Sequence, residues 1–231
     1  MNELLKKDAW DKSYDRKENY VFYPEDHVIR FVSRYIKKRT GVDDFTTIRP
    51  YKNGLDLCCG IGRHMVFLDD YGFDVEGLEL SDSAVKYAKT WFQKTGRDHL
   101  IPHIQIGSAA ELPYKNEQFD FVVCCSALDS MHSSVAQKAL DEVHRVLKKS
   151  GLFFFDLIAS DTRNQTANDM VVESGHEQGT IQSYYDDIRI ENLIRGQFHI
   201  LEHFVLHTEY KTSKNSNSRN YVILEKVDKT R

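Results

Sequence analysis

The stretch Gly54-Leu55-Asp56-Leu57-Cys58-Cys59-Gly60-Ile61-Gly62-Arg63-His64 constrains this chain more than any other. Its apolar run predicts a strand ending at Leu57 or Cys58, then a glycine-bearing turn, then a helix from near Arg63. Glycine has no Cβ, so Gly60 and Gly62 allow a tight turn and let backbone N–H groups approach a ligand. Asp56 falls at the strand's carboxyl end, where open α/β sheets bind their ligands. A second predicted strand, Val75-Glu76-Gly77-Leu78-Glu79-Leu80-Ser81, also ends in an acid. Glu79 lies seventeen residues after Gly62, a spacing that suits a carboxylate bridging two ribose hydroxyls at the neighbouring strand tip. The two pieces together point to an adenosine-type cofactor.

The 231 residues, 41% of them hydrophobic, suffice for one substantial α/β domain. A formal net charge of -4 gives no overall basic field to draw the chain to nucleic acid. Met1 to Lys7 lacks the apolar core of a signal peptide and no apolar run is long enough to span a membrane, so a cytoplasmic location is expected. The cysteines form two adjacent pairs, Cys58-Cys59 and Cys124-Cys125, each in or just after a predicted strand where neighbours point to opposite faces. That placement predicts small, buried, reduced hydrophobes and no metal site.

Residues 1–23 carry Trp10, Tyr14, Tyr20, Phe22 and Tyr23 among many charges, reading either as a helix packed on the domain or as an aromatic lid. Pro24-Glu25-Asp26-His27 opens a helix with buried stripe Val28, Ile29, Val32, Tyr35 and Ile36, ended by Lys37-Lys38-Arg39 and Gly41. Arg30 falls off that stripe, either solvated or free to reach a cofactor carboxylate. Further helices are expected from Arg63 to Tyr71, after Ser81 or Asp82, and after a Ser133-Ser134 cap. Further strands are expected over residues 101–106, 119–125 and 152–158, and a closing hairpin over residues 198–210 and 221–227. Residues 159–183 are too long and polar for an idle connection. His199, His203 and His207 recur at every fourth residue of a predicted strand, on one face and about 13 Å apart, too far to share one metal.

Asp56-x-Cys58-x-Gly60-x-Gly62 resembles motif I, D/E-x-G-x-G-x-G, of the class I S-adenosylmethionine (AdoMet)-dependent methyltransferases, with cysteine at the first glycine. A dinucleotide fingerprint would want a third small residue where Met65 stands. Gly107 to Tyr114 is similar to the family's G-D-A-x-x-L-P-F phrase with Ser108 replacing the acid, and Arg145 to Leu152 to its R-V-L-K-P-G-G phrase. The N-terminal aromatics and the Glu79 strand look like small-molecule enzymes, including sugar N-methyltransferases. The resemblance implies a Rossmann-like seven-stranded, mostly parallel sheet with a C-terminal antiparallel hairpin and helices on both faces. A single domain over 1–231 follows: lid and helix to 41, cofactor core 54–158, substrate-side insertion 159–183, and helix plus hairpin 184–231.

The same resemblance implies AdoMet as cofactor, held by Tyr14, Arg30, Asp56, Cys58, Gly60, Gly62, Glu79, Leu80, Ser108, Ala109 and Ser126. It implies a small polar acceptor, a sugar or nucleotide sugar among the options, with Tyr23, His176 and Glu177 on the acceptor side and neither nucleic acid nor membrane as partner. Asp129 and His132 fall beside the transferring methyl group, as proton acceptors or as an orienting group and a helix cap. A protein that binds AdoMet without catalysis, as a sensor or partner subunit, is the alternative, and unobstructed Gly60 and Gly62 favour the enzyme. An aminopropyltransferase would need a set of acids after the fourth strand, where only Asp129 stands.

Overall fold

The computed structural model describes residues 3–160, 169–175, 177–213 and 216–227. Two helices come first, α1 (Glu3–Asp15) and α2 (Asp26–Tyr35), then a small antiparallel pair, β1 (Lys37–Arg39) and β2 (Phe45–Thr47). The alternating core follows as β3 (Asn53–Leu57), α3 (Arg63–Asp70), β4 (Asp74–Glu79), α4 (Asp82–Lys94), β5 (Ile104–Ile106), β6 (Phe119–Cys124), α5 (Ser133–Val146) and β7 (Leu147–Ile158). A second small pair, β8 (Asp169–Val171) and β9 (Ile181–Ser183), then α6 (Asp187–Ile194), β10 (Phe198–Glu209) and β11 (Ser216–Lys226) complete the described chain.

Seven strands form one sheet in the order β10-β11-β7-β6-β3-β4-β5. Pairing is parallel from β5 across to β7, and antiparallel for β7–β11 and β11–β10. This is the expected mostly parallel sheet with a C-terminal hairpin. Strands covered on both faces read as continuous apolar runs, and Leu152-Phe153-Phe154-Phe155 of β7 is buried throughout. One face packs on α5 and α6 through Leu55, Val122, Phe153 and Val222. The other packs on α2, α3 and α4 through Val75, Phe121, Phe154 and Ile223. The chain leaves β3 for β4 and β5 on one side and returns to β6 on the other, so the crevice above β3 is a topological switch point.

Several boundaries differ from the sequence expectation for identifiable reasons. The third core strand shortens to Ile104–Ile106 because Asp98–His103, with Pro102 inside it, is a 3-10 turn. Lys37–Arg39 forms β1 instead of finishing α2, and Phe31 joins Val28 and Val32 as the fully buried stripe. Glu25 caps α2 by accepting from the backbone N–H groups of His27 and Val28. The last strand starts at Ser216, five residues before its apolar part, because its polar start still pairs backbone with β10. A bulge at Leu201 pairs His199 with Glu225 but His203 with Val222. Glu225 and Val222 point to opposite faces, so the three histidines do not share one.

Candidate functional site

A cavity of about 540 Å³ opens at the carboxyl ends of the central strands, roofed in part by α1. Following the sheet order β5-β4-β3-β6, its walls run from Ser108 and Ala109, through Glu79 and Leu80, to Cys58 and Gly60, and on to Cys125 and Ser126. Trp10 and Tyr14 of α1 close one side, Met131 and Val135 another, and Glu177 sits on the rim contributed by the insertion. Ligand cavities of about 300–1,000 Å³ accommodate small molecules and cofactors, and this one mixes apolar walls with a few placed polar groups.

The turn after β3 is built for close approach. Cys58, Gly60 and Gly62 all adopt left-handed conformations, with φ of 58°, 56° and 82°. A Cβ on Gly60 would lie 2.6 Å from the Tyr14 hydroxyl. Gly60 N–H donates to Glu79 Oε2 at 2.9 Å, and Ser81 N–H donates to Oε1 at the same distance. These two donors sit on opposite oxygens and orient Glu79, which lines the cavity as a hydrogen-bond acceptor. Burial raises its pKa despite those amide donors. Beneath the turn, Asp56 is buried with neither oxygen hydrogen-bonded among the described residues. His64 Nδ1 approaches it to 3.6 Å, while His64 Nε2 accepts from the Glu25 N–H, so the ring proton sits on Nδ1, facing Asp56. An oriented strand-tip carboxylate and a turn that a side chain would fill fit a ribose-bearing cofactor.

Tyr14, Cys58, Gly60, Glu79, Leu80, Ser108, Ala109, Ser126 and Glu177 come together on the cavity wall. Burial, then the nearby Glu79, pushes the Tyr14 hydroxyl well above its ordinary pKa, so it stays protonated. Other expected residues are placed elsewhere. Arg30 turns away to Glu202, 2.8 Å from Oε1, and lies over the Phe204 ring. The Tyr23 side is open to solvent, with the residue 80% exposed. Gly62 faces the packing side, where an added Cβ would meet Phe92 at 2.5 Å. His176 lies outside the described residues.

The two residues expected beside the methyl group are both engaged structurally. Asp129 is buried, its Oδ2 accepting from Ile158 N–H at 2.9 Å and from Arg219 Nη2 at 2.7 Å. Arg219 also binds Asp156, whose Oδ1 accepts from Ser126 N–H at 2.6 Å. This triad pins the segment after β6, with Ser126 in a left-handed conformation (φ 54°), against β7 and β11. Burial raises the Asp129 pKa against the pull of Arg219. His132 caps α5, Nδ1 accepting from Ser134 N–H at 3.2 Å, and its Nε2 lies 3.2 Å from Asp169. Although burial opposes it, hydrogen bonds from Arg189, Ser133 and Ser183 hold the Asp169 carboxyl well below the usual carboxylate range. Neither Asp129 nor His132 is among the residues that line the cavity.

Sequence reasoning passed over Arg63, His64, Cys125, Val135 and Lys138, which also line the cavity. For Arg63 and His64 the signal was available, since they follow directly on the glycine turn. Among the described residues no three His, Cys, Asp or Glu side chains cluster as a metal site, and no helix is long and apolar enough to cross a membrane.

Residues 55–155 match the family described as methyltransferase domain. An uncharacterized methyltransferase of Synechocystis is 37% identical over 106 residues, 46% of this chain and 47% of that protein. The match spans less than half the length of the curated relatives. A SAM-dependent methyltransferase from Methanosarcina mazei superposes with a TM-score of 0.65 at 19% identity, covering 78% of this chain and 94% of that one. The Burkholderia thailandensis 1,6-didemethyltoxoflavin-N1-methyltransferase, solved with 1,6-didemethyltoxoflavin and S-adenosylhomocysteine, gives 0.69 at 14% identity over 97% and 88% of the two chains. At those identities the likeness is one of fold, and it extends beyond the matched segment to the hairpin side of the sheet. Residues 55–155 thus resemble a methyltransferase domain in sequence, within a chain that shares the Rossmann-like fold of the solved methyltransferases.

Proposed function

We propose that this chain transfers a methyl group from AdoMet to a nitrogen or oxygen of a small polar metabolite. The observation that carries the reading is Glu79, held by the Gly60 and Ser81 amides at a strand tip and facing a cavity that continues past it to Ser126. In this reading Glu79 would hold the ribose hydroxyls, the Gly60 turn the amino-acid part, and Leu80, Ser108 and Ala109 the adenine, all of them residues of the cavity wall. Ser108 accepts with a neutral hydroxyl where the family motif has an acid, so adenine recognition leans on the apolar walls and the Ala109 backbone. When bound, the sulfonium supplies an already activated methyl group. The protein's part is then alignment and exclusion of water, and such positioning contributes up to roughly 7–11 kcal/mol.

The acceptor enters between Ser126, Met131 and the rim formed by α1 and Glu177. A space of this size, in a chain of net charge -4, suits a metabolite and not a polymer. With Asp129 and His132 engaged, and burial pushing the Cys125 thiol up, the β6 tip carries no ready base. An amine that reaches the site neutral is therefore the acceptor these residues serve best; sugars and nucleotide sugars bearing an amine fall within that class. Incubation with methyl-labelled AdoMet and pools of small amines, hydroxylated metabolites, RNA and protein tests the reading. Label in the small-amine fraction supports it. Label in RNA or protein alone overturns the acceptor class, and S-adenosylhomocysteine binding without any transfer favours a non-catalytic AdoMet-binding protein.

A further inference from the structure

Arg63 stands at the first position of α3, directly after the glycine turn, and lines the cavity while only half-buried. Its guanidinium makes two long contacts, Nη1 to the Tyr23 carbonyl oxygen at 3.4 Å and Nη2 to Cys125 Sγ at 3.7 Å. Among the described residues no carboxylate pairs with it, whereas Arg30, Arg97, Arg145, Arg189 and Arg219 each bind an acid. A planar fork of donors in a partly desolvated wall suits bidentate capture of a carboxylate. The first turn of α3 contains no acid to compete, and the positive end of the helix dipole favours an anion at the same place.

Its position along the crevice determines which anion. The Nη2 contact places Arg63 at the β6 end, while Glu79 closes β4 and Ser108 follows β5. A ligand with its ribose on Glu79 and its base toward Ser108 extends its remaining end toward Arg63. On the cofactor reading given above, we propose that Arg63 is the counter-ion of the cofactor's amino-acid carboxylate. This gives Arg63 the role the sequence suggested for Arg30, which is committed to Glu202.

Paired titrations of S-adenosylhomocysteine and its decarboxylated analogue, which keeps the amine and lacks only the carboxylate, test the assignment. Wild type should bind the intact compound about 10- to 100-fold more tightly than the analogue. Arg63→Met should weaken the intact compound by a similar factor and leave the analogue within about twofold, with Arg63→Lys between wild type and Arg63→Met. Retained binding of the analogue by the variants also shows that they fold. Equal losses for both ligands in Arg63→Met, or no loss for either, overturn the assignment while leaving the cofactor reading in place. Failure of wild type to bind either compound overturns the cofactor reading and, with it, this one.

Discussion

At the scale of single residues, the site depends on a few side chains held by backbone. Glu79 is legible in the sequence because an acid at the end of an apolar run stands out, and the Gly60 and Ser81 amides hold it in the structure. Burial raises its pKa above the ordinary carboxylate value. The native state therefore takes up a proton more readily than the unfolded chain. This group's contribution to stability is fully present below its unfolded pKa and is lost as pH rises through the raised folded value. Ribose hydroxyls donate to the charged form, so ligand binding has the opposite slope. Affinity for S-adenosylhomocysteine should be highest at neutral pH and weaken on acidification, starting above the ordinary carboxylate range. Calorimetry from about pH 8 to about pH 5 checks this; Glu79→Gln should remove the slope. Of the two roles the sequence left open for His132, the structure shows the helix cap, and Asp129 is bound by an arginine, because sequence position shows nearness to the crevice and not what the side-chain atoms bind. Arg219, ninety residues away, takes Asp129, and the Ser134 amide takes His132. His132→Ala should accordingly cost about 0.5–2 kcal/mol of stability as a lost helix cap and leave kcat within a few-fold, read by melting and by turnover on the identified acceptor.

At the scale of elements, the strand–turn–helix units from Asn53 to Ile158 are legible because each is local. Period and punctuation reside in the same short window as the element they specify. Helix α1 is less so, since Glu3–Asp15 has no continuous apolar stripe, and among its described side chains Tyr14 is the large hydrophobe that is buried. Its place is set by tertiary contacts: Asp11 accepts from the Ser81 hydroxyl at 2.6 Å and from the Ser83 amide, and Lys7 pairs with Asp82. These contacts tie α1 to the cap of α4, the helix that directly follows Glu79. Because Trp10 and Tyr14 also line the cavity, a ligand there should hold α1 down. Hydrogen exchange in α1 should slow when S-adenosylhomocysteine is added; unchanged exchange would mean that α1 packs without acting as a cover. The insertion behaves similarly. Its β8–β9 pair is anchored through Asp169, which binds Arg189, Ser133, Ser183 and His132, and no local sequence pattern announces such a junction.

At the scale of the molecule, α2 is joined to the closing hairpin of β10 and β11. Glu202 of β10 collects Arg30, Arg34 and Tyr35 of α2, and His27 stacks on Tyr221 of β11 with centroids 3.9 Å apart. That joining explains why the tail's strands were foreseeable as strands but their order was not. The insertion of β11 between β7 and β10 is a choice of non-local partners, and the bulge at Leu201 resets which face each residue serves. The switch point above β3 is nonetheless where motif and topology agree, and AdoMet is the ligand proposed for it. The most direct test is calorimetric titration of S-adenosylhomocysteine into wild type and Glu79→Ala. Clear binding by wild type, weakened by about 1.5–3 kcal/mol in the variant, is the predicted result. Equal affinity in the two proteins, or binding of NAD in preference to S-adenosylhomocysteine, would contradict it.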